Sequence, residues 1–195
     1  MKNILAIGAH PDDIEFGVGG TLVKHKYRGD KIVYLCMTGT ESTDGTTGEV
    51  LRTEKQLQSE IKNAAEVLGA DFVEILPFQD LAVPFSFESV SSIEGYIKIY
   101  DIDTVYTHWE GDANQDHINT FKATMAAARY VPNVYCYEQI PVPRLTANPM
   151  TINHYVDITT SFKKKMEASN CHESQMTKYN THGFSVEDNL ETLAK

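Results

Sequence analysis

The stretch Lys2–Gly20, KNILAIGAHPDDIEFGVGG, sets three kinds of sequence end to end. Lys2–Gly8 is a compact apolar run that stops at a glycine, the pattern of a buried strand. Ala9–Glu15 then crowds a histidine and three carboxylates together, although like charges repel and each anion favours water. Gly17–Arg28 reads as a helix, with Leu22 and Val23 apolar and Gly29-Asp30 as its stop. A buried strand feeding a glycine-rich turn and a helix is the opening unit of an α/β fold. In such folds the ligand crevice lies beyond the carboxyl ends of the strands, where AHPDD falls.

The alternation continues outward from this unit. Lys31–Met37 is a second apolar strand, and Thr38–Gly48 a polar loop long enough to be functional. Glu49–Leu68 reads as a helix, with Leu57, Ile61, Ala64, Ala65 and Leu68 at helical spacing and Gly69 as its stop. Strands follow at Asp71–Leu76, Thr104–Tyr106 and Asn133–Tyr137, and helices at Phe87–Tyr100 and Asp116–Tyr130. Residues 141–149 read as an irregular excursion, Asn153–Ile158 as a returning strand, and Thr160–Met176 as a final helix. The pattern predicts a Rossmann-like, three-layer α/β/α sandwich with a mainly parallel sheet, a single domain over residues 1–195.

Composition narrows the partners. A net charge of −10 argues against a nucleic-acid backbone, which calls for a basic face. Lys163–Lys165 reads as a solvated helix face. No run approaches the roughly 18 apolar residues of a membrane span, and the N-terminal stretch reads as a strand instead of a signal peptide. Three widely spaced cysteines without a CxxC pair point to a reducing compartment, so the expected location is the cytoplasm. A short, apolar-rich α/β chain of this kind is compatible with a homo-oligomer.

A divalent cation is the simplest reason to place His10 beside Asp12 and Asp13, since it neutralises carboxylates and accepts imidazole. His10 and Asp13 are three residues apart, so a tight turn brings both to one point. A catalytic zinc wants a third protein ligand. Thr107–Thr120, THWEGDANQDHINT, offers His108, Asp112, Asp116 and His117 at the same sheet edge. His117, in the first turn of a helix, can reach back over the strand ends; His108 competes with it.

AHPDDIEFGVGGTL resembles the signature of the LmbE-like, PIG-L-type zinc deacetylases, which remove acetyl groups from amino-sugar amides. Asp116-His117 resembles the end of the family's second motif, Ala64–Gly69 its AAxxLG, Val156–Ile158 its VDI, and His172–Gln175 its HxSQ. The resemblance implies that His10, Asp13 and His117 bind Zn2+, or another divalent transition metal, with Asp12 as general base. It further implies a small-molecule N-acetyl amino sugar or conjugate as substrate. Many members have a histidine three residues before the zinc histidine that stabilises the oxyanion; here Asn114 stands there, so Asn114 or a cationic His108 is expected in that role. Asp116 is expected to orient a ligand histidine, and Asp112 to act beside it or on substrate. Arg52 and Asp80 are candidates for sugar contacts, each with a structural salt bridge or turn as the plainer alternative. A catalytically weak carbohydrate-binding or scaffold protein of the same fold is the competing reading. His154 and His172 read as structural histidines, and Gly17–Gly20 as close packing and not a phosphate loop.

Overall fold

The computed structural model describes residues 1–43, 47–139, 150–181 and 185–193, with backbone alone for 178–181 and 193. β1 (Asn3–Gly8) lies at the centre of a five-stranded parallel sheet, between β2 (Lys31–Thr38) and β6 (Thr104–Thr107). β5 (Phe72–Phe78) and β7 (Asn133–Cys136) form the two edges, giving the order β5-β2-β1-β6-β7. β1 and β2 are in register from Asn3 opposite Lys31 to Gly8 opposite Cys36, so all six residues of β1 are paired.

Both faces of this sheet are covered, which is why β1 and β2 read as unbroken apolar runs and not as alternating ones. Ile4 and Ala6 with Ile32, Tyr34 and Cys36 point to one side. There they meet α1 (Asp13–Gly17), α2 (Gly19–Tyr27), α3 (Glu54–Leu68) and α6 (Phe162–Ser169). Leu5 and Ile7 with Val33, Leu35 and Met37 point to the other, towards α4 (Phe87–Ile99) and α5 (Gln115–Ala127). The architecture is the three-layer α/β/α sandwich with a mainly parallel sheet that the sequence pattern predicts. α7 (Glu173–Thr181) and α8 (Val186–Leu193) follow, and Val186 and Leu190 pack on Phe16.

Four expectations are corrected. Helix α3 begins at Glu54 and not Glu49, because Thr53 is extended and its side chain accepts a hydrogen bond from the Gln56 amide, a cap that starts a helix. The residues before it, β4 (Val50–Arg52), pair antiparallel with β3 (Ser42–Thr43). Asn153–Ile158 is not a strand. It is held by side chains instead: the Lys24 ammonium donates to the Asp157 carbonyl, and Ile158 presses on Gly20, where an added Cβ would lie 2.9 Å from it.

Thr160–Met176 is two helices, not one. The chain turns at Asn170–His172, whose amides bond to Met166, Ala168 and Ser169, and this turn buries His172. Lys165 departs from the solvated lysine face: it is buried, and burial pushes its ammonium pKa down to about 8. The predicted excursion at 141–149 lies outside the described residues.

Candidate metal centre

The C-terminal ends of β1 and β6 deliver two loaded segments to one place. After Gly8 the chain tightens at once: the Asp13 amide donates to the His10 carbonyl, and the Asp13 carboxylate accepts from the His10 amide at 2.7 Å. Asp12, between them, is left with φ 107°, the left-handed region that costs an L-residue about 1–2 kcal/mol. Gly8 suits this turn, since a Cβ there would lie 3.1 Å from the Asp13 and Ile14 side chains. The second segment enters α5 through Asn114, whose Oδ1 accepts from the Asp116 amide at 2.8 Å and caps the helix. That cap sets His117 on the first turn, facing the AHPDD turn.

Three side chains converge. His10 Nδ1 and His117 Nε2 are 3.3 Å apart, Asp13 Oδ1 is 3.3 Å from His117 Nε2, and Asp13 Oδ2 is 3.6 Å from His10 Nδ1. Ligands about 2.0–2.1 Å from a tetrahedral ion stand roughly 3.3 Å from one another, so these spacings suit zinc. The outer ring nitrogens agree. His10 Nε2 lies 3.0 Å from Asp116 Oδ2 and 3.3 Å from Asp80 Oδ1, and His117 Nδ1 lies 2.9 Å from Asp112 Oδ2. Carboxylates at those positions keep the outer nitrogens protonated and turn both inner lone pairs on one point. The residues present fit a divalent cation.

Without a cation the same carboxylates raise the pKa of both histidines. Burial lowers the His117 pKa, but Asp13 and Asp112 outweigh it and raise it to about 9. His10 is likewise held well above its ordinary value, against the effect of burial, by Asp116, Asp13 and Asp80. Burial would raise the Asp13 pKa, yet the surrounding histidines, His117 foremost, keep its carboxyl well below the usual range. Asp12 differs: its carboxylate, almost fully buried, has no hydrogen bond among the described residues. Burial, reinforced by Asp13, pushes its pKa to about 7.

His108 is placed differently from the expectation of a cationic donor. It is fully buried behind Asp13, stacked on His117 with ring centroids 4.0 Å apart. Its Nε2 accepts from the Ala9 amide at 2.9 Å, and burial, with His117 adjoining, lowers its pKa to about 4. The ring has no exposed surface of its own, and its Nε2 lies 3.1 Å from Asp13 Oδ2.

Arg52 is also buried, and it pairs with Glu60 at 3.1 Å. Asp80 is the more open of the two: its side chain is 27% exposed, it accepts from Ser42 Oγ, and its hydrogen bond to His10 lowers its pKa to about 2.

Two neighbours go beyond the sequence reading. The Gln139 amide donates to Asp13 Oδ1 at 2.9 Å, and nothing in the sequence marks it, since it lies past β7 in an irregular segment. His172, read as structural, is fully buried 3.4 Å from Glu15 and contributes positive potential at Asp12. The HxSQ pattern is the one sequence signal that points to it.

The fold and site define an α/β protein whose candidate metal centre, two histidines and an aspartate, lies at the carboxyl edge of a parallel sheet. The chain belongs to the PIG-L family: the family model described as GlcNAc-PI de-N-acetylase matches residues 5–128. It is 37% identical over 143 residues to the "Uncharacterized deacetylase YaiS" of Escherichia coli, covering 70% of this chain and 74% of that one. It is 29% identical over 194 residues to the diacetylchitobiose deacetylase of Thermococcus kodakarensis, covering 90% of this chain and 70% of the relative. Among solved structures, the N,N'-diacetylchitobiose deacetylase of Pyrococcus horikoshii superposes with a TM-score of 0.77 at 23% identity, covering 99% and 77% of the two chains. At that identity the superposition speaks for the fold alone. No helix among the described residues is long and apolar enough to cross a membrane.

Proposed function

We propose that this protein is a zinc-dependent hydrolase that removes the acetyl group from an N-acetylated amino sugar or amino-sugar conjugate. One observation carries the reading: His10 Nδ1, His117 Nε2 and Asp13 turn inward on a single point beside Asp12, a buried carboxylate with no hydrogen bond among the described residues. The family and the names of the relatives support the substrate class.

A divalent cation held by His10, Asp13 and His117 would supply Lewis acidity at the amide carbonyl and a water of lowered pKa. Zinc suits two imidazoles and a carboxylate, and other divalent transition metals accept the same set. Asp12 removes the proton from the attacking water and returns it to the leaving amine, and the positive charge of a bound cation would favour the ionised form that a base needs. Asn114 has its Oδ1 committed to the helix cap, so its amide nitrogen is the donor it offers to the developing oxyanion.

Asp116 and Asp112 orient His10 and His117, and His108 backs Asp13 from the interior. Asp80, at the open rim, is the side chain placed to meet a sugar hydroxyl, while Arg52 acts through Glu60. The three cysteines are unpaired, as expected of a protein working in the cytoplasm, and a homo-oligomer is compatible with this reading.

Asn114, in place of a titratable histidine, is the observation that favours the competing reading of a carbohydrate binder without turnover. The two separate in one experiment. Metal-loaded protein is incubated with N-acetylglucosamine, diacetylchitobiose and nucleotide-linked N-acetyl amino sugars, and released acetate is measured. At least one substrate is expected to turn over, and Asp12→Asn should reduce the rate by about 10²–10⁴-fold at unchanged metal content. Saturable sugar binding with no acetate released from any of them would favour the binder.

A further inference from the structure

On the face of the sheet that carries α2, a cavity of about 380 Å³ opens over β6 and β7. That volume is in the range of small-molecule sites. Lys2 lines it just ahead of β1, whereas His10 follows β1, so the two lie a strand length apart, roughly 20 Å. The cavity is therefore separate from the metal centre.

Its charge runs against that of the chain. The protein has 27 acidic and 17 basic residues, yet Lys2, Lys24 and Arg28 all line this cavity. None of the three side chains pairs with a carboxylate among the described residues; Lys24 donates only to the Asp157 backbone carbonyl. The one lining carboxylate, Asp157, is engaged by the Thr159 amide at 2.9 Å and hydroxyl at 2.6 Å. Three cations against the single carboxylate of Asp157, which Lys24 already feels, leave the lining net positive, the recognition chemistry of an anion, phosphate above all.

The same cavity is lined by aromatic rings held in place. Tyr106 and Tyr135 stack with centroids 5.3 Å apart and planes 21° from parallel, and His154 lies against Tyr135 at 5.3 Å. The Tyr106 hydroxyl meets His25 Nε2 at 2.9 Å, and His25 is held in turn by Asp30 at 2.8 Å, so the wall is set before any ligand arrives. Rigid aromatic faces beside these cations suit a planar ring joined to a phosphate.

We propose that this cavity is a second ligand site that takes a nucleoside monophosphate, its base against Tyr135 and His154 and its phosphate among Arg28, Lys24 and Lys2. The proposal is independent of the reaction at the metal centre.

Adenosine 5′-monophosphate is the probe, titrated calorimetrically into the metal-loaded protein. One saturable site per chain is expected, with inorganic phosphate and ribose 5-phosphate at least about ten-fold weaker, because they lack a base to stack. Arg28→Gln and His154→Ala, both at exposed positions, should each weaken binding about ten-fold while metal content stays at the wild-type level. Unchanged affinity in either variant overturns the proposal, as does equal affinity for the nucleotide and inorganic phosphate. Absence of saturation at millimolar nucleotide, or binding lost in His117→Ala and retained in Arg28→Gln, overturns it as well.

Discussion

Two histidine–aspartate pairs sit at opposite ends of the sheet, and at first sight they are alike. His25 Nδ1 meets Asp30 at 2.8 Å, and His117 Nδ1 meets Asp112 at 2.9 Å. Both rings are buried. The difference lies at the second nitrogen. His25 Nε2 faces the Tyr106 hydroxyl at 2.9 Å, a partner that completes its hydrogen bonding. His117 Nε2 faces the nitrogen of another imidazole and the Asp13 carboxylate. One pair is closed on itself, and the other is open towards a cation. What lies beyond the second nitrogen separates a structural pair from a ligand-bearing one.

The sharpest way to break this comparison is to truncate both rings. His117→Ala is expected to lose the bound metal and with it activity by at least about 10³-fold, since a three-ligand site does not survive on two. His25→Ala should keep its metal and lose only stability, about 1–3 kcal/mol, because Asp30 and Tyr106 are left with an unpaired group between them. Metal analysis beside thermal unfolding distinguishes the two patterns. Equal metal content in both variants would remove the distinction.

Neutralising the carboxylates should give smaller effects in the same sense. Asp112→Asn ought to weaken metal affinity about 10–100-fold, as expected when a group that orients a ligand histidine is altered. Asp30→Asn should leave metal affinity unchanged. Competition with a chelator of known affinity measures both.

The pH dependence runs in the same direction at the two ends but in different windows. His117 in the metal-free protein has a pKa of about 9, so below that value a cation must displace its proton. Apparent metal affinity should therefore rise with pH towards 9, by up to about ten-fold per unit for that proton, with proton release visible in buffers of different ionisation heat. Asp30 has its pKa lowered, against burial, by His25 and the Lys2 amide. It stabilises the fold above the ordinary carboxylate value of 3.8, and that contribution disappears as pH falls through its lowered folded value. Acid unfolding that begins well above 3.8 would need another group as its cause.

Much of this was legible in the chain. KNILAIG and KIVYLCM are continuous apolar runs because both sheet faces are covered, and a continuous run between turn residues needs no long-range information to be recognised. AHPDD was legible as a unit because its candidate ligands His10 and Asp13 are three residues apart and one turn joins them. The start of α3 was not, because Glu49–Arg52 carries no local breaker, and what keeps Val50–Arg52 out of the helix is a strand pair with the distant Ser42–Thr43. The break at Asn170–His172 was hidden for a related reason. Residues on both sides suit a helix, and the turn is favoured by the burial of His172 beside Glu15.

By itself the sequence determined the alternation of strands and helices, the edge of the sheet where the polar segments gather, and the identity of the candidate ligands. The first two are matters of periodicity; spacing within one turn joins His10 and Asp13, and the family resemblance is what picks His117 over His108. Tertiary structure decided what lies against each group. It set His108 behind Asp13 with no exposed surface, brought Gln139 onto Asp13 from 126 residues away, and left Asp12 without a hydrogen-bond partner among the described residues. The charge state of a buried group depends on desolvation and on neighbours from distant segments, and neither is written in the residues beside it.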